Sequence, residues 1–179
     1  AYYVRGVSCG GVFRDQRQKE WGLFMVADGM SGFNETIASH RAVRLIGDAV
    51  RAGIIRGNED DEHIIRVAVI NANKAIENSC TTLDLALLSQ NVLYTTHLGD
   101  GRMYGIRHDT VQRITTDEYD ANTRGPSNYL GREYIGGKSI EDRFSVQKHY
   151  LVPQQMILAT DGLASRVSEK EVIRILRSL

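Results

Sequence analysis

The 179-residue chain has little proline, little cysteine and no surplus of either charge. Its 22 Lys and Arg residues balance 22 Asp and Glu residues, so the formal net charge is zero. A neutral chain lacks the overall positive field that holds nucleic acid or an anionic membrane surface. We therefore expect no nucleic acid and no membrane among its partners, and we expect a cytoplasmic protein.

Cysteine pairs and long apolar runs are also missing. Cys9 and Cys80 lie far apart and outside any CxxC spacing, which excludes a zinc site of the usual kind. No apolar segment approaches the roughly 20 residues of a membrane-spanning helix, and the first residues do not resemble a signal peptide. With 42% hydrophobic residues, the composition is that of a globular protein, and the length predicts one domain over residues 1–179.

The order of predicted elements indicates the fold class. Compact or alternating apolar runs predict strands over 2–12, 23–27, 82–88, 92–98, 102–107, 111–115, 144–151 and 156–160. Apolar residues at helical spacing predict helices over 35–52 and 60–78, and a last helix after the capping box 168–171. The polar segment 119–137 predicts a loop. Strands in blocks, with helices between and after them, predict an α+β fold with antiparallel sheets.

Three Asp-Gly pairs share one local design: Asp28-Gly29, Asp100-Gly101 and Asp161-Gly162 each follow an apolar strand. Asp is unfavourable inside a strand and Asp-Gly is a common turn, so one pair alone indicates only a turn. If neighbouring strands bring the three carboxylates together, their repulsion would raise at least one pKa. Mg²⁺ or Mn²⁺ would compensate that charge. Spacing alone leaves both interpretations open, coincidental turns and a metal site.

Several segments resemble the motifs of a known family. "FMVADGMSG" resembles the "VADGMGG" signature of metal-dependent protein phosphatases of type 2C. "HLGDGRMYGI" resembles that family's "GDSR" and the strand after it, and "ILATDGL" resembles its "LLCSDGL". "CTTLDLALL" and "TTDE" resemble its "GTT" strand and its "TxDH" motif. Because the motifs follow the family's order from about Gly11 to Val167, the chain is identified as a member.

The resemblance implies a fold and an activity. The fold is a four-layer α-β-β-α sandwich of two antiparallel sheets flanked by helices, which agrees with the element order. The activity is that of a metal-dependent serine/threonine protein phosphatase acting on a phosphoprotein substrate. Two Mg²⁺ or Mn²⁺ ions would activate a water that attacks phosphoserine or phosphothreonine in line, without a phospho-enzyme.

The resemblance also assigns roles to residues. Asp28 would bridge two metal ions and the carbonyl of Gly29 would complete one of them. Asp161 would hold the other ion, and Asp100 would lie near a further, weaker metal position. Arg14, in "GVFR", matches the family's "GxxR", whose arginine binds the substrate phosphate. A planar guanidinium suits that task.

Some positions depart from the family pattern and support an alternative. Where the family has an acidic "NED" or "NQD", this chain has Arg17-Gln18-Lys19, with Asp15 and Glu20 on either side. Glu118 replaces the histidine of "TxDH", and the late "DN" motif, whose aspartate binds metal, does not occur. Fewer acids near a lysine would bind two dications poorly. The alternative is a catalytically inactive pseudophosphatase, a binding or regulatory module that recognises a partner protein.

Overall fold

The computed structural model describes residues 6–14, 20–29, 35–76, 79–108, 110–120, 125–126, 130–131, 140–164 and 166–176. Within these ranges the helices are α1 (Glu35–Arg56), α2 (Asp61–Ala75), α3 (Asp161–Ala164) and α4 (Glu169–Leu176), with a 3₁₀ turn at Ile140–Asp142. The strands are β1 (Gly6–Arg14), β2 (Glu20–Asp28), β3 (Leu83–Ser89), β4 (Val92–Leu98), β5 (Arg102–Arg107), β6 (Thr110–Arg113), β7 (Tyr119–Asp120), β8 (Gly125–Pro126), β9 (Gln147–His149) and β10 (Gln155–Ala159). None of the described helices is both long and apolar enough to cross a membrane.

The strands form two main antiparallel sheets. Sheet I has the order β1-β2-β3-β4-β9, and sheet II has the order β10-β5-β6. In sheet I, Val26 of β2 lies opposite Asp84 of β3, and Asp84 lies opposite His97 of β4. Directly opposed residues point to the same face of a sheet, so these three side chains form one row.

The outer face of sheet I packs against two helices. On β3, Leu83, Leu85 and Leu87 are fully buried in one cluster with Ile46 of α1 and Ile65 of α2. Burial of each of these side chains contributes about 1.5–3 kcal/mol before entropic costs. Because side chains alternate along a strand, Asp84 and its row point the other way, toward sheet II.

Sheet II carries the fourth layer. Tyr104 and Ile106 of β5 pack with Val172 of α4 on its outer face. The order is therefore helices, sheet I, sheet II and helix, and the predicted α+β sandwich of two antiparallel sheets flanked by helices is confirmed.

Several element bounds differ from those predicted. Helix α1 runs to Arg56, where Gly57 follows with a positive φ of 68° and donates its backbone N–H to the carbonyl of Gly53. Within the predicted loop 119–137, β7 pairs with β8. The predicted strand 144–151 is limited to Gln147–His149, because β9 pairs only with residues 93–95 of β4. The prediction also included the apolar residues Tyr150 and Leu151, which are 75% and 69% exposed.

Candidate active site

The topology brings the three Asp-Gly pairs to one end of the sandwich. Asp28 is the last residue of β2, at the end of sheet I where β4 also finishes with Leu98. Residues 99–101 then cross to sheet II, where β5 begins at Arg102. Arg102 lies opposite Ala159, so β10 also finishes here and leads directly to Asp161. Asp28 at the end of β2 and Asp161 after the end of β10 thus lie at the same end of the sandwich.

Two threonines fix the backbone at Asp28. Thr82 Oγ1 accepts a hydrogen bond from the Asp28 N–H at 3.0 Å, and the Thr82 N–H donates to the Asp28 carbonyl at 2.9 Å. The Thr81 hydroxyl donates to the same carbonyl at 2.9 Å. Thr81 also forms a β-bridge to Gly29 and another to Leu130. The "CTT" segment therefore determines where β2 ends and where the Asp28 side chain starts.

Asp100 and Asp161 lie close enough to interact electrostatically. Burial raises the pKa of the Asp100 carboxyl, and the negative charge of Asp161 raises it further. Asp161 is exposed at the first turn of α3, whereas Asp100 is half-buried in the crossing between the sheets. Their mutual repulsion is the feature that a bound divalent cation would relieve.

The segment after β6 clamps the Asp100 turn from both sides. Glu118 accepts a hydrogen bond from the Gly99 N–H at 3.0 Å and donates its own N–H to the Gly99 carbonyl at 2.8 Å. Both carboxylate oxygens of Asp117 accept from the Arg102 guanidinium, Oδ1 from Nε at 3.1 Å and Oδ2 from Nε at 3.3 Å and from Nη2 at 2.8 Å. Asp117 also pairs with Arg113. Glu118, which stands where the family has a histidine, thus holds the turn that carries Asp100.

A buried pair of side chains, which the sequence pattern does not predict, lies beneath this turn. Asp84, the second residue of β3, is 0% exposed, and its Oδ1 lies 2.7 Å from Nδ1 of His97. His97 Nε2 lies 3.0 Å from the Thr116 carbonyl, which only accepts, so Nε2 carries a proton. His97 therefore has both ring nitrogens engaged, as expected of a structural histidine.

The Asp84–His97 bond holds one further proton. Burial raises the pKa of Asp84, although the hydrogen bond and charge of His97 oppose the rise. Burial lowers the pKa of His97, but the hydrogen bond and charge of Asp84 outweigh it and leave that pKa above its usual range. Both pKa values rise, so the pair retains its proton to higher pH than isolated groups would.

A polar cleft of about 500 Å³ opens beside this pair. His97 and Glu118 form the wall nearest to the Asp100 turn, and Phe144 supplies an apolar patch. The remaining lining residues are mostly polar: Thr95, Thr96, Met103, Ile114, Thr115, Thr116, Asp142, Arg143, Ser145 and Gln147. The cleft is linked to the Asp100 turn through Glu118, which lines it and binds Gly99.

The other predicted site residues are partly outside the described ranges. Arg14 ends β1 opposite Glu20, but its side chain lies outside the described part of the chain. The altered segment Arg17-Gln18-Lys19 and its neighbour Asp15 are also outside it. Within the ranges given above, no group of three or more His, Cys, Asp or Glu side chains could hold a metal ion.

The described donors nevertheless suit a hard divalent cation. Asp100 and Asp161 offer oxygen ligands, and the repulsion that raises the pKa of Asp100 would be relieved by a positive ion. Mg²⁺ is usually bound by one or two carboxylates and completes its octahedron with waters. A pair of interacting carboxylates at a solvent-facing edge meets that requirement.

Two layered antiparallel sheets with flanking helices thus carry strand-end acids at one end of the sandwich. A family model described as protein phosphatase 2C matches residues 4–179. The chain belongs to the protein phosphatase 2C family.

Curated relatives and solved structures agree with this assignment. Two proteins named serine/threonine phosphatase stp, from Listeria innocua and Listeria monocytogenes, are each 28% identical over 196 residues, which cover 94% of this chain and 76% of the relative. The structure of serine/threonine phosphatase Stp1 from Staphylococcus aureus has a TM-score of 0.69 at 19% identity and covers 95% of this chain and 76% of that one. The Mycobacterium tuberculosis phosphatase PstP/Ppp has a TM-score of 0.63 at 21% identity, with 96% and 85% covered. At these identities, the structures establish the fold.

Proposed function

We propose that this protein is a serine/threonine protein phosphatase that depends on Mg²⁺ or Mn²⁺. The observation that carries the proposal is the electrostatic interaction of Asp100 with Asp161. Both lie at the end of the sandwich where β2 finishes with Asp28. Like-charged carboxylates at one end of the sandwich destabilise the metal-free protein and favour the binding of a cation. Membership of the protein phosphatase 2C family supports the reaction class.

In this proposal, Asp28, the Gly29 carbonyl, Asp161 and Asp100 hold the divalent ions. Bound ions of this kind lower the pKa of a coordinated water and neutralise charge on a phosphoryl group. Arg14 binds the phosphate of the substrate through its planar guanidinium. The hydroxyl-lined cleft next to His97 and Glu118 accepts the peptide that flanks the phosphorylated residue.

The test is hydrolysis of a phosphothreonine peptide with and without Mn²⁺. We expect turnover that requires Mn²⁺ and that falls in Asp161→Asn by more than about 100-fold, the upper cost of losing an outer-sphere partner of a metal site. Asp48→Asn removes one exposed carboxylate from helix α1 and is the matched control, with turnover unchanged. Absence of metal-dependent turnover in the wild-type chain, with peptides and aryl phosphates alike, refutes the proposal.

A pseudophosphatase is the second candidate, and two observations favour it. Basic Arg17-Gln18-Lys19 replaces the family's acids, and the described residues contain no three-ligand cluster. This candidate predicts no turnover, at most one weakly bound Mn²⁺ by calorimetry, and a melting temperature that a chelator does not change. Tight binding of two Mn²⁺ ions per chain excludes it.

A further inference from the structure

Asp84 occupies space that a side chain at position 101 would need. A Cβ atom built on Gly101 would lie 1.8 Å from Asp84 Oδ2 and 3.3 Å from the carbonyl of Ala159. In the motif "GDSR", the position of Gly101 is a serine. Here the motif is "GDGR", and a carboxylate from sheet I fills the space that a side chain at position 101, just before β5, would need.

The position of this carboxylate is energetically unusual. Asp84 is fully buried in a strand interior, and among the described residues its Oδ2 has no hydrogen-bond partner. Burying a carboxylate with one unsatisfied oxygen destabilises a fold, so packing alone would favour an apolar residue here. An acid that costs stability at this position is a candidate for a functional role.

The contacts of Asp84 lead to the Asp100 turn by two routes. Directly, its Oδ2 packs against Gly101, the residue after Asp100. Indirectly, its Oδ1 holds His97, and His97 holds the Thr116 carbonyl. The two residues after Thr116 are the clamp itself, since Asp117 binds Arg102 and Glu118 binds Gly99.

We propose that Asp84 is a positioning residue for the metal centre: through its contacts with Gly101 and His97 it fixes the Gly99–Arg102 turn that carries Asp100. This inference rests on the proposed function. Asp84 acts through the turn because its Oδ2 is enclosed against Gly101, and because the described acids form no three-ligand cluster with it. The contact of Asp84 with Gly101 thus fixes the backbone next to Asp100.

The first test is Mn²⁺ affinity, measured by calorimetry well below the melting temperature. Asp84→Asn keeps the shape of the side chain and replaces the carboxylate, with the proton that it shares with His97, by a neutral amide. We expect its Mn²⁺ affinity to be about 10- to 100-fold weaker than wild type, as for other groups that support metal ligands. The exposed Asp48→Asn again removes one charge far from the site and leaves affinity unchanged. A merely structural role of Asp84 would lower the melting temperature of Asp84→Asn and leave its Mn²⁺ affinity at the wild-type value.

A second set of variants tests the contact without depending on Asp84→Asn. Gly101→Ser places a side chain on the carboxylate, so we expect a lower melting temperature and weaker Mn²⁺ binding. In Asp84→Ala/Gly101→Ser the serine enters the space that the carboxylate leaves, and the melting temperature recovers toward wild type. Additive changes in the double variant would overturn the proposed contact.

The outcomes separate this inference from the proposed function. If wild type binds Mn²⁺ and Asp84→Asn binds it more weakly, the inference holds even when no phosphopeptide is hydrolysed. If wild type hydrolyses phosphopeptide and Asp84→Asn binds Mn²⁺ equally well, the inference is wrong and the function stands. A wild-type chain that binds no Mn²⁺ overturns the inference.

Discussion

Thr81 donates its hydroxyl to the backbone carbonyl of Asp28 at 2.9 Å, so a residue two positions before β3 holds the residue that ends β2. The hydroxyl is fully buried, and the carbonyl of Thr82 lies 3.1 Å from it. Because the Thr82 N–H also reaches the Asp28 carbonyl, that carbonyl keeps one partner if the hydroxyl is removed.

Thr81→Val tests this contact. The valine retains the branched shape and loses the hydroxyl bond, so we expect a loss of about 1 kcal/mol in the free energy of unfolding. Urea denaturation with an unchanged m-value measures it. Thr110→Val, at an exposed position in β6, is the control and should change stability little. Equal stability of the two variants would show that the Thr81 hydroxyl does not hold Asp28.

The carboxylate of Asp117 makes stability depend on acid pH. Burial raises the pKa of Asp117, but the hydrogen bond from Arg102 and the charge of Arg113 outweigh it and leave that pKa below its usual range. A lowered pKa in the folded state contributes stability above the usual aspartate value of 3.8, and this stability is lost as the pH falls through the lowered pKa.

Asp117→Asn should therefore destabilise the protein near neutral pH by about 1 kcal/mol, a figure that allows for solvent screening of this partly exposed pair. The difference from wild type should shrink as the pH falls below 3.8. Unfolding curves collected between neutral and acid pH measure this convergence. Asp142→Asn, which removes an exposed acid from the 3₁₀ turn, should show no comparable difference. A constant offset at all pH values would contradict the assigned role of Asp117.

The sequence predicted elements best where apolar runs end at clear turns. The bounds of β4 and β5 agree with the predicted ranges 92–98 and 102–107, because polar turn residues flank both runs. The predicted strand 144–151 was too long, since hydrophobic residue types alone do not show which residues pair with a neighbouring strand. The fold class and the family were predicted correctly from the order of the motifs.

The buried pair at the centre of the site was not predicted, for a physical reason. "LDLALL" has the pattern of a core strand with one polar letter, and nothing local indicates a partner for Asp84. Its partners are His97, which is 13 residues away on the next strand, and Gly101, which immediately precedes β5 of the other sheet. Only strand register and sheet packing bring them together. The metal and phosphate roles of Asp28, Gly29, Asp100, Asp161 and Arg14 stay predictions.

Helix α4 depends on the capping box that the sequence predicted. Ser168 Oγ accepts from the Glu171 N–H at 3.3 Å, and Glu171 Oε2 accepts from the Ser168 N–H at 3.2 Å. The helix buries Val172 against sheet II. We expect Ser168→Ala to cost about 1 kcal/mol of unfolding free energy, measured by thermal or urea denaturation. Ser168→Asp keeps a capping oxygen and should retain most of the stability. Equal losses in both variants would show that the cap does not stabilise α4.

Asp100 should strengthen metal binding but lower the stability of the metal-free protein. Burial and the charge of Asp161 raise its pKa in the folded protein. A raised carboxyl pKa contributes stability that is present below the unfolded value of 3.8 and is lost as the pH rises through the folded value. Near neutral pH, ionised Asp100 therefore destabilises the metal-free chain. Asp100→Asn should stabilise that chain by about 0.5–1 kcal/mol, as relief of strain at a functional site commonly does.

With Mn²⁺ bound, the wild-type chain should be more stable than Asp100→Asn, the reverse of their order without metal. A ligand that binds only the folded state at 100 times its Kd raises unfolding free energy by about 2.7 kcal/mol, so the wild-type chain should gain more from Mn²⁺ than Asp100→Asn. Protons compete with the ion for Asp100, so Mn²⁺ affinity should fall as the pH falls through the raised pKa of that group. Melting temperatures with Mn²⁺ and with chelator, at several pH values, measure both effects. Two results would contradict this prediction: Asp100→Asn is less stable than wild type in chelator, or its melting temperature rises with Mn²⁺ as much as that of wild type. Either result would mean that a bound cation does not act by relieving the repulsion between Asp100 and Asp161.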